Sequence, residues 1–108
     1  MTVETTVFAA MLAKGCTPGQ LVQSKAGHDQ GRIYLIVQVE GNFAACVDGD
    51  YRPLDRPKRK RVSHLRRLGE LAPGWREQLE AQADPGQQNA LVRRLIHEHP
   101  GWNPAEVR

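Results

Sequence analysis

Seven of the twelve residues at 56–67, RPKRKRVSHLRR, are Lys or Arg, and none is acidic. The chemistry open to such a run is the holding of anions. Guanidinium presents a planar fork of donors that suits phosphate, and five of the seven cations are Arg. Residues 1–55 carry four basic and six acidic side chains, and residues 68–108 again four and six, so this block alone gives the chain its net charge of +3. A block of one sign creates a local potential that recruits phosphates or anionic headgroups; the same charges dispersed would only raise solubility.

Other chemistries lack their residues. Cys16 and Cys46 stand far apart and fit no CxxC or Cys/His ligand spacing, so they read as small buried thiols. His97 and His99 are two apart, which on a helix turns them to different faces, and no zinc site follows. No Ser–His–Asp or Cys–His constellation, no glycine loop leading into a helix and no paired carboxylates in an apolar setting occurs, so neither an enzyme nor a cofactor is expected. Asp48, Asp50 and Asp55 gather around a turn. Turn chemistry accounts for the first two ahead of a magnesium site.

The elements that position the basic run must come from one domain's worth of chain, 108 residues with 40% hydrophobic and 25% charged content. The longest apolar run, VFAAMLA at residues 7–13, falls short of the roughly 20 residues of a membrane span. Glu4 and no Lys or Arg precedes it, unlike a signal peptide, and a cytoplasmic protein is expected.

Three sections separate on pattern: an N-terminal helix within residues 1–17, a β module at 18–68 and a helical extension at 69–108. Val3, Val7, Ala10 and Met11 recur at helical intervals before Gly15. In the middle section QLVQSKA, RIYLIVQVE and FAACVD read as strands, with Ile33, Leu35, Val37 and Val39 on one face of a half-buried second strand. DGD at 48–50 predicts a hairpin turn and a further strand near Tyr51. If KRKRV is also extended, Lys58, Lys60 and Val62 share one face while Arg59 and Arg61 share the other, as on a charged edge strand. Short strands joined by tight turns predict a mainly β fold with helical flanks, built on a small closed or nearly closed barrel. After it, Trp75, Leu79 and Ala83 mark one helix, and Leu91, Val92, Leu95 and Ile96 a second, capped by Asp84 with Pro85 at its first position; together they form an αα-hairpin.

Residues 19–65 resemble the KOW-domain RNA-binding proteins of bacteria that are related to an archaeal and eukaryotic large-subunit ribosomal protein. The likeness rests on SKAGHDQGR, on IYLIV, on VDGD and on the basic run ending in HL. It implies an SH3-like barrel that binds RNA, with Gly31 as the motif glycine and Lys25, His28 and Arg32 as loop residues beside the nucleic acid. With Gly27 of the same loop and with Arg56, Lys58, Arg59, Lys60, Arg61, Arg66 and Arg67 of the basic run, these form the expected RNA-binding set. The expected partner is RNA, ribosomal or otherwise structured, bound through phosphates with little base stacking from Tyr34 or Tyr51. An alternative function is a protein-interaction adaptor, related to the KOW modules of transcription factors, whose C-terminal helices dock a partner.

Overall fold

The computed structural model describes residues 15–100, and over them the chain runs through five strands and two helices. The strands are β1 (Gln20–Ser24), β2 (Ile33–Glu40), β3 (Phe43–Val47), β4 (Lys58–Arg61) and β5 (Leu65–Glu70), with a 3₁₀ turn at Val62–His64 between the last two. The helices are α1 (Trp75–Glu80) and α2 (Pro85–Glu98). The N-terminal helix expected before Gly15 lies outside the described residues.

All strand pairs are antiparallel, in the order β4-β3-β2-β1-β5. The fold is therefore mixed α/β, and the expected closed barrel is corrected: β4 and β5 are the two edges of the sheet and share no ladder among the described residues. Burial that closure would have supplied comes from elsewhere. On one face Val22, Tyr34, Ile36, Ala44 and Cys46 are covered by Cys16, Val62 and Leu65. On the other, Leu21, Ile33, Leu35 and Val47 meet Leu79, Leu91, Val92 and Ile96 of the helices. Each fully buried Leu, Ile or Val contributes about 1.5–3 kcal/mol, so the helices are part of the core and not an appendage to it.

Two-sided cover changes the reading of β2. Its first four residues are all buried, and only from Val37 does exposure alternate. A bulge between Ile36 and Gln38 then shifts the phase, so Val37 packs on the helical side while Val39 joins the cluster of Tyr34 and Ile36. The four-residue face expected from alternation breaks there.

No strand forms near Tyr51. Asp48 Oδ1 instead accepts from the backbone N–H of Asp50 (2.9 Å) and Arg52 (2.8 Å), closing a turn on itself, and Pro53 and Pro57 leave the segment between the turn and β4 short of ladder donors. Gly49 in this turn has φ 79°, and a Cβ there would stand 2.3 Å from the carbonyl oxygen of Asn89. Only glycine lets the turn press so closely on α2. The helix itself starts as its sequence requires: Asp84 accepts from Gln87 N–H at 2.8 Å and Pro85 occupies the first turn.

Candidate nucleic-acid interface

In an antiparallel pair, residues directly opposite share a face. Phe43 lies opposite Arg61 and Ala45 opposite Arg59, so both arginines stand on the Phe43 side of the β4 edge. The guanidinium of Arg59 sits 3.8 Å from the Phe43 ring centroid and that of Arg61 5.1 Å, one aromatic ring orienting two cations. Both side chains are exposed, and neither pairs with a carboxylate among the described residues. Beside them a cavity of about 240 Å³ opens, lined by Gln38, Glu40, Phe43, Ala44, Ala45, Pro57 and Arg59. Phe43 is an addition to the expected set. Its position opposite the basic strand comes from register, which no local pattern reveals.

Lys60 points the other way. It lies opposite Ala44 on the core face, is 7% exposed, and donates to Asp29 Oδ1 at 2.9 Å and to the carbonyl of Ala26 at 3.0 Å. Asp29 also accepts from Tyr34 Oη (2.7 Å) and Ser24 Oγ (2.9 Å). Burial opposes ionisation of this carboxyl, but the hydrogen bonds from Tyr34, Lys60 and Ser24 and the Lys60 charge outweigh it and hold its pKa down to about 2. Burial and the adjoining carboxylate push the Tyr34 phenol well above its ordinary value. Lys60 is thus a structural cation, and Tyr34, at 1% exposure, is no stacking surface.

This network fastens the loop at residues 25–32 against β4. Lys25 N–H donates to the His64 carbonyl at 2.8 Å, which brings the loop beside the 3₁₀ turn as well. Lys25 and His28 are exposed there. Gly27 (φ 89°) and Gly31 (φ 93°) adopt left-handed backbone, so loop conformation accounts for both glycines. Arg32 is held inside the molecule's own contacts: its guanidinium is 3.5 Å from Asp48 Oδ2 and 4.1 Å from the Tyr51 ring centroid.

The remaining cations divide. Arg56 is exposed in the loop before β4, and Lys58 is half-buried at its start. Arg66 and Arg67 belong to the opposite edge strand. Arg66 donates to Gln23 Oε1, whose amide in turn donates to the Gly31 carbonyl at 3.1 Å, and Arg67 donates to the Gly15 carbonyl at 3.3 Å. Arg59 and Arg61 therefore share one face of the β4 edge, Lys25 lies on the loop tied through Lys60 to the other face of that strand, and Lys60 and Arg32 are neutralised by Asp29 and Asp48. Among the described residues no group of three His, Cys, Asp or Glu side chains could hold a metal ion, and no helix is long and apolar enough to cross a membrane.

Comparison of the chain with protein-family models and with curated proteins finds no match in either.

Proposed function

We propose that the protein is an RNA-binding module that holds the phosphates of ribosomal or other structured RNA along its β4 edge and the adjoining loop. The observation that carries this reading is the Arg59–Phe43–Arg61 arrangement, two exposed guanidiniums oriented by one ring and free of carboxylate partners among the described residues. Cations braced in this way lose less side-chain freedom on binding than solvated ones. The likeness of residues 19–65 to KOW-domain proteins supports the same function, and an SH3-like relationship of the sheet belongs to this proposal. Recognition is of shape and backbone, which suits structured RNA.

The test is charge reversal. Arg59→Glu with Arg61→Glu abolishes cosedimentation with ribosomes and retention of structured RNA, while Arg94→Glu, on the exposed side of α2, leaves both unchanged. Equal binding by the two variants contradicts the proposal. The adaptor reading has less to use, since Leu91 is buried against the sheet and Leu95 packs on the same cluster. Polar residues at those positions unfold the domain before they remove any partner.

A further inference from the structure

Tyr51 is the one large hydrophobic side chain left exposed among the described residues, at 72%, yet its surroundings are fixed. Arg32 lies against one face of the ring, anchored by Asp48, and Asp48 pins the backbone on both sides of Tyr51. Leu54 N–H is held by Asn89 Oδ1 at 2.9 Å, and Arg93 donates to the Gly49 carbonyl, so α2 grips the same loop. An exposed aromatic ring on a loop determined this tightly is a platform already in place. It borders a cavity of about 360 Å³ between this loop, the loop at 25–32 and the end of α2, within the size range of small-ligand sites.

The polar lining indicates what the cavity accepts. Asp29, Asp48 and Asp50 line the cavity with Arg32 and Arg93, so a phosphate meets at least as much repulsion as attraction there, in contrast to the β4 edge. A neutral planar group meets a ring to stack on and a carboxylate to donate to. The Asp50 side chain is exposed and takes no hydrogen bond within the described chain. Carboxylates accept from the exocyclic amino group of cytosine, whereas uracil presents a carbonyl oxygen at that position.

We propose that this cavity receives one unpaired, amino-bearing nucleobase, stacked on Tyr51 with its amino group donating to Asp50. The proposal deepens the RNA-binding reading and rests on it for the source of the base. It uses different side chains from Arg59 and Arg61, so the two can fail separately.

The experiment titrates cytidine and uridine, nucleosides without phosphate, into the full chain while following the Tyr51 ring and the 48–52 amide resonances by NMR. Cytidine shifts them in the millimolar range and binds about fivefold tighter than uridine; Tyr51→Ala weakens cytidine at least about tenfold, and Tyr51→Phe preserves it. Asp50→Asn removes the preference for cytidine while both nucleosides still stack. No shift with either nucleoside at 20 mM, roughly an order of magnitude above the expected range, overturns the proposal and leaves the platform to a protein segment. Equal affinity for the two nucleosides overturns the amino-group assignment. Because neither ligand is an anion, these results hold whether or not charge reversal at Arg59 and Arg61 abolishes RNA retention.

Discussion

Replacing Asp29 by Asn removes the charge of one carboxylate while nearly keeping its volume, although the single amide oxygen can take the place of only one of the two acceptors, Oδ1 facing Ser24 and Lys60 or Oδ2 facing Tyr34. What it leaves behind is Lys60, 7% exposed, with its ammonium 2.9 Å from a group that no longer balances it. Breaking a buried ion pair from one side costs about 3–5 kcal/mol, and the residual exposure of Asp29, 14%, puts this pair near about 3 kcal/mol. Against a total stability of roughly 5–15 kcal/mol that is a large share. In urea at pH 7, with m of about 1.5 kcal/mol/M, the midpoint falls by about 2 M. Lys60→Met added to Asp29→Asn restores more than half of the loss, because removing both charges leaves no buried charge uncompensated.

The pH dependence has a fixed sign. The folded-state pKa of Asp29 is depressed to about 2 from 3.8, so its contribution is complete above about pH 4 and is lost as pH falls from there through 2. The Asn variant lacks that portion of the acid limb. A urea midpoint within about 0.3 M of the wild type, or an unchanged acid limb, refutes the placement of Lys60 inside the network. If the protein holds RNA as proposed, Lys60→Met, once folded, keeps that affinity.

The packing sets two further outcomes. Gly49→Ala introduces a Cβ 2.3 Å from the Asn89 carbonyl at a φ of 79°, and should lower the melting temperature by roughly 8 °C or more, on a cost of at least about 2 kcal/mol; an unchanged melting temperature would show that the turn does not press on α2. Burial raises the Cys46 thiol to about 12 and lifts Cys16 as well, so iodoacetamide at pH 8 should modify either only as fast as the domain opens, and rapid labelling of the native protein contradicts the core assignment.

How far the fold was legible depended on whether local pattern or tertiary cover decided each element. β1, β2 and β3 stand where alternation and turn residues put them, and the Asp84–Pro85 start of α2 is fixed by local hydrogen bonding that any sequence of that kind carries. β5 is hidden in the sequence because LRRLGE shows three charges and a glycine where a strand pattern should be. Its structure comes from pairing with β1, a contact some 45 residues away in the chain. The second cover on β2 is equally non-local, although the near-continuous run IYLIV is what a strand buried on both faces presents.

The candidate site divides in the same way. That Arg59 and Arg61 share a face, opposite to Lys60, is readable from period two alone. The inward turn of Lys60 is available too, since it shares its face with Val62, an apolar residue that belongs in the core. Asp29 as the partner, Phe43 beneath the arginines and the stacking of Arg32 on Tyr51 all depend on which loops the sheet brings together, and no spacing in the chain encodes them.

If the protein holds RNA as proposed, cations around the β4 edge that no carboxylate pairs among the described residues neutralise phosphates, while Lys60 and Arg32 do not. Lys25, Arg56, Lys58, Arg59 and Arg61 are the side chains concerned, about five phosphates in all. Fluorescence anisotropy with a structured RNA across a salt series should give a slope of log K against log[salt] of roughly −3.5 to −4.5, reduced in magnitude by about 1.5–2 when Arg59 and Arg61 become Gln and unchanged in Lys60→Met. A slope near zero, or one that Lys60→Met alters as much as the arginine pair does, contradicts it.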